Sequence, residues 1–140
     1  MNNAVLTDTG YWIGLLDSTD AFHEESNTVS ELILEAPIIL PWPCLYETIR
    51  TRMARKRDRL LIFEQIIRRN NIELLPDDKY RDTALEQVFY LNRVGKTYSL
   101  ADMVIRQMLM DVNINVRYLV TFNEADFKDL CDIRSIEILG

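Results

Sequence analysis

Apolar residues in this chain follow two patterns: short contiguous runs, and stripes spaced three or four positions apart. The runs are Ala4-Val5-Leu6, Ile38-Ile39-Leu40, Ile72 to Leu75, Tyr118 to Thr121 and Ile136 to Leu139. Runs this short suit strands covered on both faces, as in a parallel sheet. Between them lie helical stripes. Tyr11, Trp12, Leu15 and Leu16 predict a short helix, Tyr11 to Asp17, followed by a turn at Ser18-Thr19-Asp20. Phe22, Val29, Leu32, Ile33 and Ala36 predict an amphipathic helix with Glu24, Glu25 and Glu31 outside, ended by Pro37. Pro41 and Pro43 suit the first turn of a helix carrying Leu45, Ile49 and Met53. A further helix runs from Leu60 to Arg69, and Pro76 stops the strand after it. Asp77 and Asp78 cap a helix with Ala84, Leu85, Val88 and Leu91 inside, and Gly95 interrupts. Ser99 opens the last stripe: Ala101, Val104, Ile105, Met108, Leu109 and Val112. Strands alternating with helices predict an α/β sandwich around a mainly parallel five-stranded sheet flanked by helices.

Repeats, low-complexity tracts and linkers are absent, so residues 1–140 read as one domain. Its length allows about two-thirds of the unfolded surface to be buried. A hydrophobic content of 48% with 27% charged residues is that of an ordinary globular chain. No apolar stretch approaches the ~20 residues that a bilayer span needs. Met1-Asn2-Asn3 carries no basic region, so no leader and a cytoplasmic location are expected. Cys44 and Cys131, without metal-type spacing, read as buried, reduced thiols. The net charge of −6 excludes coating of nucleic acid by bulk attraction. It does not exclude a nuclease, whose metal-binding acids lower the net charge while a local basic patch holds phosphates.

The acids fall at particular places. Asp8 ends the first run, with Gly10 expected to free the backbone for a turn. Glu47 lies in the first turns of the helix after the second strand, and Asp102 in the first turn of the helix opened by Ser99. Asn123, Glu124 and Asp126 follow the fourth strand. In a parallel sheet with right-handed crossovers, strand ends and the helix starts after them share one rim, where open α/β folds bind ligands. Several carboxylates in one volume repel one another. A hard divalent cation, Mg²⁺ or Mn²⁺, is the usual partner of an oxygen-only donor set. Each acid alone also has a structural reading. Asp8 fits a helix cap, Ser99-x-x-Asp102 a capping box, Glu47 an exposed helix position, and Glu124 and Asp126 ordinary loop acids. Their joint placement is what points to a site.

Taken in order, Asp8-Thr9, helix-borne Glu47, Ser99-Leu100-Ala101-Asp102 and Thr121-x-Asn123-x-x-Asp126-Phe127 resemble the PIN-domain ribonucleases. The resemblance is to the toxin subunits of bacterial VapBC toxin–antitoxin pairs in particular, and it spans essentially the whole chain. It implies a three-layer PIN-like fold and a Mg²⁺- or Mn²⁺-dependent endoribonuclease leaving a 5′-phosphate and a 3′-hydroxyl. Carried over by position, Asp8, Glu47 and Asp102 are the core metal ligands. Many relatives have a fourth acid at the position of Asn123, so Asp126 takes that role here, with Asn123 contributing its carbonyl or acting through water. Thr121 and Ser99 are placed to bond ligand carboxylates or bound water. The resemblance further implies an antitoxin partner seated against the first helices, near Trp12 and Leu16, and a homodimer. The neutral Asn123 leaves a second reading open, a catalytically silent module that binds RNA or protein.

Arg50, Arg52, Arg55, Lys56, Arg57 and Arg59 crowd a short stretch one turn beyond Glu47. On a continuous helix, Arg52, Arg55, Lys56 and Arg59 share one face, suited either to solvent or to an RNA backbone led toward the acids. His23, the one histidine, rules out paired-histidine ribonuclease chemistry and reads as a surface residue.

Overall fold

The computed structural model describes residues 3–140; Met1 and Asn2, part of the segment read as lacking a leader, lie outside it. Strands β1 (Ala4–Thr7), β2 (Ile38–Pro41), β3 (Ile72–Leu75), β4 (Val116–Val120) and β5 (Glu137–Leu139) form one sheet in the order β3-β2-β1-β4-β5. Every pairing is parallel, beyond the mainly parallel sheet predicted. The central strands are buried along their whole length in β1 and β2, which is why their sequences carry no charge.

Helices α1 (Thr9–Leu16) and α2 (His23–Leu32) connect β1 to β2, and α3 (Trp42–Thr48), α4 (Thr51–Ala54) and α5 (Arg57–Ile67) connect β2 to β3. Helices α6 (Arg81–Arg93) and α7 (Leu100–Met110) lead to β4. A single 3₁₀ turn (Glu124–Asp126) and α8 (Lys128–Arg134) lead to β5. Right-handed crossovers put α1–α5 on one face of the sheet and α6–α8 on the other. Helix α1 accordingly packs on α2, α3 and α5, and α7 packs on α6 and α8. The chain steps outward from β1 through β2 to β3, then returns to build the other half from β4. The carboxyl ends of β1 and β4 therefore flank the point where the strand order reverses, the crevice in which such sheets hold ligands.

The core supports that crevice from below. Trp12, 1% exposed, donates its indole N–H to Thr7 Oγ1 at 2.9 Å, and the Thr7 hydroxyl donates in turn to the Ile39 carbonyl. This buried chain of bonds joins α1, β1 and β2. Helices α1 and α2 approach closely at Gly14, where a Cβ would stand 2.3 Å from Ser26 Oγ. Half-buried His23, expected at the surface, pairs its Nδ1 with the Gly14 carbonyl at 2.7 Å. At the end of α6, Gly95 (φ 89°) closes the helix with N–H bonds from Gly95 to Asn92 and from Lys96 to Leu91, the glycine stop that frees no orphan carbonyl.

Several expectations change. Gly10 lies within α1, and its φ is not positive, because the helix starts directly after Asp8. The long helix expected through Leu45, Ile49 and Met53 breaks after Thr48 and again after Ala54. Arg50 is extended (ψ 171°), so the basic residues do not share one helical face. Like charges at Arg52 and Lys56, and at Arg55 and Arg59, would have stood one turn apart on a continuous helix and destabilised it. Phe22 (41% exposed), Leu32 (70%), Leu85 (40%) and Val112 (78%) leave the stripes assigned to them. Helix α8 was not foreseen. Among the described residues, no helix is long and apolar enough to cross a membrane.

Candidate functional site

The acid at the centre of the site is placed by the sheet. Asp8 follows β1, and its backbone N–H bonds the Val120 carbonyl at 3.0 Å, which sets it beside Thr121 at the end of β4. Asp8 caps α1: Oδ1 accepts from the Thr9 N–H at 2.7 Å. Oδ2 accepts from the Thr121 hydroxyl at 3.0 Å, and Thr121 Oγ1 accepts in turn from the Asn123 N–H. The carboxyl is therefore fixed from two strands at once.

Glu47, penultimate in α3, reaches over the start of α1 and accepts from the Thr9 hydroxyl at 2.6 Å. Asp102 lies in the first turn of α7, where Ser99 Oγ caps its backbone N–H at 3.0 Å. Asn123 and Asp126 bracket the 3₁₀ turn, the Asn123 amide bonding the Asp126 carboxylate. Asp8, Glu47, Asp102, Ser99 and Asn123 line one open pocket of about 320 Å³ with Thr9, Gly10, Phe22 and Phe122. The fourth segment enters this pocket through Phe122 and Asn123, whereas Thr121 and Asp126 are not among its lining residues.

Electrostatics follow from that convergence. Burial raises the Asp8 carboxyl above the ordinary aspartate range, and the neighbouring charges of Glu47 and Asp126 add to it, against the lowering bonds from Thr9 and Thr121. Asp102 is pushed up to about 6, chiefly by desolvation, then by Asp8, Asp126 and Glu47. No lining residue carries a positive charge. The Cys44 thiol, 4.0 Å from Asp8 Oδ1, is held well above its usual range by burial and by Asp8. Cys44 and Cys131 are both free and buried.

The donor set, carboxylates with an amide and hydroxyls, fits a hard divalent cation. The spacing is wider than the expectation that all these oxygens grip one ion. Among the described residues, no three His, Cys, Asp or Glu side chains are grouped to hold a metal as they stand. The Glu47 carboxylate is engaged by the Thr9 hydroxyl and the Asp126 carboxylate by the Asn123 amide.

Sequence reading missed the residue that braces the fourth segment. Arg106, one turn beyond Asp102 in α7, donates to the Asp126 carbonyl at 2.7 Å and to both Asp129 oxygens at 2.8 Å. Its guanidinium also lies over the Tyr98 ring, 4.6 Å from the centroid. The available signal was a lone cation in a mostly apolar helix, four residues after Asp102 and outside the apolar stripe. Thr9, which orients Glu47, gave no signal beyond its place after Asp8.

The basic residues gather differently from expectation. Arg50, Arg52, Lys56 and Arg59 line a small cleft with Asp17 and Asp20, and Arg59 pairs with Asp17 at 3.5 Å. Arg55 is exposed outside that cleft. On the same face of the sheet, Leu15, Leu16, Ile33, Leu34, Ile62 and Ile66 line an apolar groove of about 290 Å³ between α1, α2 and α5, with Trp12 also lining it.

No protein-family model matches the sequence, and no curated protein matches it. Solved structures do match. VapC20 of Mycobacterium tuberculosis, described as a sarcin–ricin loop cleaving toxin, superposes with a TM-score of 0.68 at 15% identity, covering 89% of this chain and 94% of that one. VapBC2 of Rickettsia felis, bound to a DNA fragment from its promoter, gives a TM-score of 0.61 at 15% identity, with 96% of each chain covered. At that identity the likeness shows the fold: a five-stranded parallel sheet flanked by helices, as in VapC-type PIN structures.

Proposed function

We propose that this chain is a metal-dependent endoribonuclease and the toxin of a toxin–antitoxin pair. The observation that carries the reading is the desolvation of Asp8 and Asp102 in one open pocket without a compensating positive charge. Structural acids rarely remain so; such perturbation concentrates at sites with chemical work to do. Asp8, Glu47, Asp102 and Asp126 would hold Mg²⁺ or Mn²⁺, with Asn123 contributing its carbonyl or acting through water. When bound, such an ion polarises a phosphodiester and supplies hydroxide-like water near neutral pH.

The chain's own part is positioning. Thr121 and the Thr9 N–H fix both oxygens of Asp8, and Thr9 holds Glu47 toward the pocket. Ser99 secures the helix start that presents Asp102, and Arg106 anchors the turn carrying Asp126. Arg52, Arg55 and Arg59 are assigned to the RNA backbone, Arg59 the least free of them because Asp17 already pairs with it. The Rickettsia felis VapBC2 neighbour supports an antitoxin partner, and the apolar groove between α1, α2 and α5 is assigned to a segment of it. The VapC20 likeness supports an RNA substrate; the homodimer is carried over from the resemblance, and the cytoplasmic location from the N-terminal sequence and the two buried thiols.

A Mn²⁺ titration of purified protein against a mixed RNA panel tests the reading. Cleavage that rises with Mn²⁺, leaves 5′-phosphates and disappears in Asp102→Asn is expected. Cleavage that persists in EDTA, or equally in the variant, overturns it. RNA or partner binding without any cleavage in Mn²⁺ would favour the silent-module reading, for which the neutral Asn123, engaged with Asp126, is the supporting observation.

A further inference from the structure

Two phenylalanines stand at the edge of the acid pocket without a part in the chemistry above. Phe22 and Phe122 stack face to face, with ring centroids 4.5 Å apart and planes 5° from parallel. Phe122 follows Thr121, the residue that holds Asp8, and Phe22 precedes α2 and remains 41% exposed. The backbone that carries Phe22 is tied down on both sides. The Phe22 N–H bonds Asp20 Oδ2 at 3.0 Å, and its carbonyl accepts from Ser26 N at 2.9 Å. The pair lines two cavities. One is the acid pocket; the other, about 260 Å³, is completed by Glu25, Thr121, Glu124, Ile138 and Gly140.

We infer that this second cleft receives one single-stranded RNA base next to the scissile phosphate, stacked on the Phe22–Phe122 pair. The inference rests on the nuclease reading proposed above. A large apolar ring left exposed beside a polar site is the usual platform for an unpaired base, because every base offers a π face. The cleft's charge chooses base over backbone. Glu25 and Glu124 are exposed carboxylates, and neither has an ion-pair or hydrogen-bond partner for its side chain among the described residues. They repel phosphate and accept hydrogen bonds from the N–H groups of a base edge. Guanine offers an imino N–H and an amino group side by side to one carboxylate, whereas the uracil N–H is flanked by carbonyls that a carboxylate repels. The cleft therefore prefers guanine to uracil.

The test uses the full chain carrying Asp8→Asn, which stops cleavage, with fluorescence anisotropy of a short fluorescein-labelled single-stranded RNA. Adding Phe22→Leu keeps an apolar side chain but removes the π face. Phe22→Trp keeps both. Thermal melting checks that each variant folds. The expected result is about tenfold weaker binding for Phe22→Leu, with Phe22→Trp binding at least as tightly as the parent. One abasic position in the RNA should erase the difference between Phe22 and Leu, and replacing guanine with uracil at that position should weaken the parent. Equal binding by Phe22→Leu, or a loss that survives an abasic site at every position, overturns the pocket. If the wild-type chain still cleaves in Mn²⁺, the nuclease reading stands without the pocket. If the Asp8→Asn parent binds no RNA and the wild type cleaves none, both fall.

Discussion

Asp102→Asn separates a working acid from a helix-cap acid. The Asp102 carboxyl is pushed up from 3.8 to about 6, first by desolvation and then by Asp8, Asp126 and Glu47. A rise of about two units corresponds to about 3 kcal/mol of disfavour for the charged form. The residue is only partly buried, so solvent screening reduces that to about 1–2 kcal/mol. The sign is fixed by linkage. The folded chain binds this proton more tightly than the unfolded one, so the penalty is absent below about pH 4 and complete above about pH 6. Metal-free protein should therefore lose stability as pH rises through that window. Asparagine removes the charge but keeps the backbone N–H that Ser99 caps. In EDTA at pH 7.5, Asp102→Asn should melt about 3–6 °C higher than the wild type, and the gain should shrink toward pH 4.5. Mn²⁺ should raise the melting temperature of the wild type far more than that of the variant. Differential scanning calorimetry with and without Mn²⁺ reads both effects. A variant that melts no higher than wild type in EDTA would refute the reasoning. The favourable interaction of a first-turn carboxylate with the helix dipole would then outweigh repulsion in the pocket, and Asp102 would be an ordinary helix-start acid.

Other consequences are equally direct. Arg106→Met leaves the Asp126 carbonyl and the Asp129 carboxylate without their donor; a loss of about 1–3 kcal/mol in urea unfolding is expected, with cleavage falling more than thermal stability alone explains. Gly14→Ala places a methyl against Ser26 Oγ and the Phe22 carbonyl, and should cost about 1–3 kcal/mol by the same assay. Arg52→Glu with Arg55→Glu should weaken RNA binding and reduce the slope of log affinity against log salt by about 1–2, measured by anisotropy. Stability should change little, because neither side chain makes an ion pair among the described residues.

Much of this molecule is readable along the chain because strands and caps are local. A short uncharged run such as Ala4-Val5-Leu6, ended at once by Asp8, suits an inner strand buried on both faces, and Asp8, Ser99 and the prolines mark where elements begin or end. Order along the chain was enough to bring Asp8, Glu47, Asp102 and Asn123 to one mouth, since a parallel sheet puts strand ends on one rim. Helix α8 escaped because seven residues with only Leu130 and Cys131 buried give no measurable period. The basic stretch misled because a spacing argument assumes one continuous helix, whereas the chain leaves the helix after Thr48 and Arg50 is extended. Three features exist only after the chain closes on itself: the Arg106 brace from α7 to the turn at Asp126, the Thr9 hydroxyl holding Glu47, and the stacking of Phe22 on Phe122. Each joins residues far apart in sequence through bonds a few ångströms long. Such distances are set by how helices pack on the two faces of the sheet, not by the order of residues within any one of them.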